Sequence, residues 1–318
     1  MPIVKSTYPK QPFYLGDQHG QTLIPGGLRR VRGVTYERER LELDDGDFLD
    51  LDWSKQGSKK LAILSHGLEG SSRRPYTLGM IKELGANGID SLAWNCRSCS
   101  GVLNRLPRLY HHADFDDLDA VINYAKDFNY EEIFLVGFSM GGNLSLHWMA
   151  EYSEKAKETI SKSIVFSSPL DLKASALHLM KPSNVLYKNR FLSKLKEKLK
   201  SKSEQFPEEY DLKPLNEIRS FYDLDEHYTA PIHGFRGADD FYQKGSTLHK
   251  LNSIKTETLL VQALNDPFFP ASCYPSKADI GNSNVKPFYT RKGGHVGFTQ
   301  VHNKSYFSEN LAVKFLLS

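Results

Sequence analysis

The sequence has only three cysteines, Cys96, Cys99 and Cys273, an odd and low count that does not read as a disulfide framework. A reducing compartment, the cytoplasm, is the expected location. No stretch approaches ~18 uncharged apolar residues, so a transmembrane segment is not expected. The segment from Met1 to Gly20 holds Pro2, Lys5, Pro9, Lys10 and Pro12 and lacks the apolar run of a secretory leader. A formal net charge of +3 is small for 318 residues and gives no footprint of nucleic-acid binding and no acidic tail. There is no internal repeat, no low-complexity segment, no G-x-x-x-x-G-K-[ST], no G-x-G-x-x-G after a strand and no H-E-x-x-H. Neither a cofactor nor a metal is therefore expected.

What is present suits a folded α/β chain. Hydrophobic residues make up 40% and charged residues 25%, enough for a sizeable core. Alternating runs on either side of Asp45-Gly46 predict an antiparallel hairpin. Short apolar runs follow at 61–64, 92–94, 133–136, 164–166 and 259–261, and each suits a strand buried on both faces. Helical spacing appears between them over 75–84, 114–128 and 141–152, and again in the tail over 305–317. The expected architecture is one α/β domain over 1–318 with a mostly parallel central sheet, an N-terminal hairpin and helices on both faces. Over approximately 171–250 the alternation stops, and charge and aromatics rise. This stretch reads as a helical cap inserted over the sheet edge, with one amphipathic helix through Phe191, Leu195 and Leu199. The lysines at 188, 194, 196, 198, 200 and 202 read as its solvated face, and peripheral contact with anionic lipid is the disfavoured alternative.

Gly137-Phe138-Ser139-Met140-Gly141 fits G-x-S-x-G between a strand-like and a helix-like segment, the setting in which this pattern forms a nucleophile elbow. Ser139 is the candidate nucleophile. Small neighbours permit the strained turn, and the helix behind it aims free N–H groups at the reaction centre. The backbone N–H groups of Met140 and Leu68 are the candidate oxyanion donors. Leu68 lies in Ser65-His66-Gly67-Leu68-Glu69-Gly70-Ser71, the loop after an early strand. His66 reads as structural. Asp266, just past the 259–261 run, is the candidate acid, with Asp239 and Asp240 in reserve. His295 between glycines, in Gly293-Gly294-His295-Val296-Gly297-Phe298, is the candidate base and completes the chain order Ser, Asp, His. The glycines suggest a flexible loop. Phe268 and Phe269 beside the acid, together with Phe191, Phe221 and Tyr222, suggest an apolar acyl pocket or simply core. Cys96-Arg97-Ser98-Cys99 leads into Ser100-Gly101 rather than a helix and reads as a loop with chance C-x-x-C spacing. His111-His112 is an adjacent pair that makes no metal site by itself.

Taken together, several segments resemble the YheT-like branch of the α/β-hydrolases over most of the chain. They include Gln21-Thr22-Leu23, Arg38-Glu39-Arg40-Leu41-Glu42-Leu43, Asp45-Gly46-Asp47-Phe48-Leu49-Asp50-Leu51-Asp52-Trp53, and the His66 to Ser71 loop. Asn95, Arg97, Cys99-Ser100-Gly101, Leu109-Tyr110-His111, the elbow through Gly142, Asp266-Pro267-Phe268 and the His295 loop complete the set. Two departures stand out. Ser98 replaces the first glycine of Arg-Gly-Cys-Ser-Gly, and Asn265 precedes Asp266 where the family often has a second aspartate. The resemblance implies the α/β-hydrolase fold and carboxylesterase activity on short to medium acyl esters, small-molecule substrates. Acyl transfer to an alcohol, or lipid or thioester hydrolysis, would use the same three residues. An inactive fold kept as a binding module is the reading from another class, and covalent capture of Ser139 by a fluorophosphonate would exclude it.

Overall fold

The computed structural model describes Tyr8 and residues 11–301 and 304–318. The expectation drawn from Pro2, Lys5, Pro9 and Lys10 lies outside these residues. Eight strands form one sheet in the order β1-β2-β4-β3-β5-β6-β7-β8. They are β1 (Glu37–Glu42), β2 (Phe48–Ser54), β3 (Lys60–Ser65), β4 (Asp90–Asn95), β5 (Glu132–Phe138), β6 (Lys162–Phe166), β7 (Thr258–Ala263) and β8 (Val285–Thr290). β2 runs antiparallel to β1 and β4, and the remaining pairs are parallel. Gly46, at φ 86°, closes the β1–β2 hairpin. Across that ladder Arg38 faces Asp52 and Arg40 faces Asp50, each as a two-toothed ion pair.

The continuous apolar runs are explained by burial on both sides. On one face Leu61, Ile63, Leu92, Leu135 and Val165 pack with α3 (Phe115–Lys126) and α4 (Met140–Glu151). On the other, Ala62, Leu64, Phe134, Val136 and Ile164 pack with α2 (Pro75–Ala86) and the C-terminal helix Phe307–Leu316. A helix the sequence did not announce, α1 (Gln18–Leu28), precedes the sheet. Its Pro25, Gly26 and Gly27 argue against helix, and Asp17 rescues its start by capping the N–H groups of His19 and Gly20.

Between β6 and β7 the described chain is helical, beginning with α5 (Leu172–Leu179) and α6 (Val185–Gln205) and including Ala238–Gly245. These helices surround their own apolar cluster, which includes Leu192, Leu199, Ile218, Phe221 and Leu224. The solvated-face reading of the α6 lysines needs correction. Lys202 is fully buried and its ammonium donates to the carbonyls of Asn104 and Leu106, both at 2.6 Å. Lys198 is held by Glu69 at 2.6 Å. Loop carbonyls under the helix require donors, and the long cationic stem of Lys202 reaches both, the Leu106 carbonyl sharing it with the Asn104 side-chain amide. Among the described residues no helix is long and apolar enough to cross a membrane.

Candidate active site

Four loops at the carboxyl edge of the sheet converge. β5 ends at Phe138, and Ser139 sits at φ 53°, ψ −119° before α4 begins. The Ser139 N–H is tied to the Phe166 carbonyl at 2.8 Å, which fixes the strained residue. The flanking glycines are there for contact. A Cβ on Gly137 would lie 2.5 Å from the Gly142 Cα, and one on Gly141 would lie 2.2 Å from the Ser65 carbonyl oxygen.

The loop after β3 faces the elbow. His66 is buried, and burial pulls it down to about 4, so it is neutral. Its Nδ1–H donates to the Gly67 carbonyl at 2.8 Å while Nε2 accepts the Cys96 N–H at 3.1 Å. The Gly67 N–H donates to the Tyr76 hydroxyl at 3.0 Å and the Glu69 N–H to the Tyr110 hydroxyl at 2.9 Å. The Leu68 N–H between them takes no acceptor among the described residues, nor does that of Met140, at the first position of α4. Two unpaired donors thus flank Ser139.

His295 lies in the loop after β8. Its Nε2 is 2.9 Å from Ser139 Oγ and its Nδ1 is 2.9 Å from Asp266 Oδ2. Asp266 is buried, and its other carboxylate oxygen accepts the Phe268 N–H at 2.9 Å. The Phe268 ring stacks on the imidazole with centroids 4.0 Å apart, and Phe269 meets it edge-on. The structure therefore brings Ser139, His295, Asp266, Phe268 and Phe269 together. It does not bring Asp239 or Asp240 there. Asp239 pairs with Lys173, and Asp240 with Arg236 and Lys244.

The His295 loop is pinned rather than loose. The His295 N–H donates to Thr22 Oγ1 at 2.9 Å, the Gly293 N–H to Gln21 Oε1 at 3.1 Å and the Val296 N–H to Ser167 Oγ at 3.0 Å. Gly293 and Gly294 serve its turns at φ 155° and 60°. Asn265 donates to Gln21 at 2.9 Å and accepts the Gly294 N–H at 3.2 Å. An ionised aspartate there could not donate, which gives Asn265 its own part in the scaffold. The residues that reading the motifs one by one missed are Gln21, Thr22, Tyr76 and Ser167. Only the recurrence of Gln21-Thr22-Leu23 in the family pattern signalled any of them.

Two cavities meet at Ser139. The first is bounded by Thr22, Arg74, Arg190, Lys194, His295 and Tyr306. The second is lined mainly by apolar residues of the β6–β7 helices, Leu172, Leu179, Phe221 and Phe241 among them, and reaches Asp225, Thr229 and Tyr242. Phe268 borders both, and Phe269 the second alone. Leu68 also borders both.

Of the remaining motifs, the C-x-x-C turn borders neither cavity, whereas His111 and His112 line the second. Arg97 is buried among Asp45, Asp47 and Asp117, which anchors the C-x-x-C turn, and Ser98 there adopts φ 60°, a left-handed conformation that glycine accepts more readily. Burial pushes the Cys99 thiol up to about 11, so it stays protonated. His111 packs edge-on against His233. No group of three or more histidine, cysteine or acidic side chains among the described residues could hold a metal.

Comparison with known proteins places the chain among relatives. The family model described as alpha/beta hydrolase fold matches residues 62–300. The esterase candidate YheT of Escherichia coli (strain K12) is 32% identical over 287 residues, covering 88% of this chain and 84% of that protein. The phospholipase ABHD3 of Mus musculus is 28% identical over 310 residues, covering 94% and 75%. The solved Pyrococcus furiosus esterase Pf2001 superimposes with a TM-score of 0.58 at 19% identity, covering 91% of this chain and 97% of that one.

Proposed function

The chain belongs to the α/β-hydrolase fold family, in its YheT-like branch, and from that premise we propose a serine carboxylesterase that cleaves short- to medium-chain acyl esters through an acyl-enzyme on Ser139. The relay from Ser139 Oγ through His295 to Asp266, with both contacts at 2.9 Å, carries the reading. His295 Nε2 takes the Ser139 proton as Oγ bonds to the ester carbonyl carbon. The carbonyl oxygen gains negative charge between the Leu68 and Met140 N–H groups, which are already oriented and unpaired. As the alkoxy C–O bond breaks, His295 returns the proton to the leaving alcohol. Water, deprotonated by His295, then attacks the acyl carbon, and as the bond from that carbon to Oγ breaks His295 returns the proton to Ser139 and the acid departs. Asp266 keeps Nδ1 protonated, leaves Nε2 free to accept, and stabilises the imidazolium. Stacked Phe268 shields the imidazole from water.

The β6–β7 helices act as a cap whose apolar cavity takes the acyl chain. The wall of that cavity includes the Asp225 carboxyl, held by the Thr229 and Tyr242 hydroxyls, a polar group beside which a long alkyl chain packs poorly, and this supports short to medium chains. Similarity to proteins named phospholipase and monoacylglycerol lipase supports esters of lipid type. The test is turnover of p-nitrophenyl esters from acetate to decanoate by wild type and Ser139→Ala. Wild type should turn over best at intermediate chain length and the variant should lose activity throughout. Activity retained by Ser139→Ala would overturn the assignment.

A further inference from the structure

The two cavities at Ser139 differ in charge, and the chemistry assigns them different halves of the ester. This assignment rests on the esterase reading above. The base that takes the serine proton must hand it to the departing alkoxide, so the alcohol half leaves beside His295 Nε2. His295 borders the first cavity and not the second. The first cavity therefore receives the alcohol half and the second the acyl half.

The first cavity carries Arg74, Arg190 and Lys194. Arg190 and Lys194 stand one turn apart on α6, so the helix presents both on one face, together with Tyr187 and Phe191 of the same cavity. Among the described residues neither Arg190 nor Lys194 has an ion pair or side-chain hydrogen bond. The one carboxylate bordering the cavity among the described residues, that of Glu69, is occupied. Glu69 Oε1 accepts the Lys198 ammonium and the Tyr110 hydroxyl, both at 2.6 Å. Among the described residues the second cavity has no lysine or arginine in its wall, and it contains the Asp225 carboxyl. An anionic ester would be attracted on the alcohol side and repelled on the acyl side.

We infer that the first cavity is a subsite for a phosphate group carried on the alcohol half of the ester, held by Arg190 and Lys194 together with Arg74. A guanidinium supplies paired donors to phosphate oxygens and an ammonium adds a mobile point charge. Cations one helical turn apart can close on one tetrahedral anion while the acyl carbonyl rests at Ser139.

The experiment compares two monomeric esters with the same acyl group, hexanoylglycerol and hexanoylglycerol 3-phosphate. kcat/KM is measured for wild type, Arg190→Gln/Lys194→Gln and Arg190→Glu/Lys194→Glu, at low salt and at about 0.5 M salt. Wild type should prefer the phosphorylated ester by roughly 10-fold or more, the order expected of charged hydrogen bonds. The preference should fall toward one in the glutamine variant, reverse in the glutamate variant, and shrink with salt. The same phosphate ester presented in vesicles separates the sources. A cation-dependent preference with the monomer supports a soluble phosphate ester, and one confined to vesicles supports a bilayer headgroup. Equal turnover of both esters, or a preference untouched by either variant, overturns the subsite alone. If neither ester is cleaved by any of the three proteins, the esterase reading falls and the subsite with it.

Discussion

The carboxyl edge of the sheet and the helices between β6 and β7 meet at Ser139, yet they are built on opposite terms. At the edge the backbone is held by contacts that leave no room for an added atom. Gly137 abuts Gly142, Gly141 abuts the Ser65 carbonyl, and the His295 loop is fixed through its own N–H groups. In the helical segment the decisive groups are long or buried side chains: Lys202 on loop carbonyls, Lys198 on Glu69, and Asp225 between Thr229 and Tyr242. The edge has the geometry of a reaction centre. The helices have the variety of walls that select a substrate. On that division, edge substitutions should act on kcat, and helical ones on stability or preference.

The largest effects should fall on the edge. Ser139→Ala should lower kcat by about 10⁴-fold or more, with stability unchanged in a thermal melt. Asp266→Asn should lower kcat by about 10³- to 10⁴-fold, because an amide leaves the wrong imidazole tautomer favoured. Thr22→Val tests whether the division extends to α1. Losing the acceptor of the His295 N–H should lower kcat roughly 10-fold with little change in KM, since a positioned group is displaced rather than removed. A change confined to KM would place Thr22 with the walls.

Smaller effects should come from the helices and should be thermodynamic. Lys202→Met leaves the Asn104 carbonyl without a donor and the Leu106 carbonyl with the Asn104 side-chain amide alone, and should cost about 1–3 kcal/mol in denaturant unfolding while kcat is retained. Loss of kcat with full stability would break the division. Asp225 gives the pH test. Burial lifts its carboxyl to about 6, so the folded state holds a proton that the unfolded state has released. Stability from this group is present at low pH and is lost as pH rises from about 4 to 6. Asp225→Asn should therefore stabilise the protein by about 1–2 kcal/mol at pH 7–8 and give no gain near pH 4, read by melts at both values.

The same division explains what was legible in the sequence. The five apolar runs became β3 to β7 because burial on both faces writes itself as a continuous run of side chains. Ser139 and Asp266 stood out because each follows such a run with its turn residues adjacent in the chain, and His295 because it lies between glycines and completes the chain order Ser, Asp, His. α1 was illegible. Its helix propensity is poor, and Gln21 and Thr22 matter only through contacts with residues more than 200 positions away. The α6 lysines misled for a related reason. Spacing along a helix reports which face a residue is on, and not that a loop near Asn104 covers that face with carbonyls that take up a lysine ammonium.

The most direct test of the account is covalent capture by a fluorophosphonate, read by mass spectrometry of the intact protein and of its peptides. The account predicts one adduct in wild type, mapped to Ser139, and none in Ser139→Ala. An unlabelled wild type, or an adduct mapped to another residue, would contradict it.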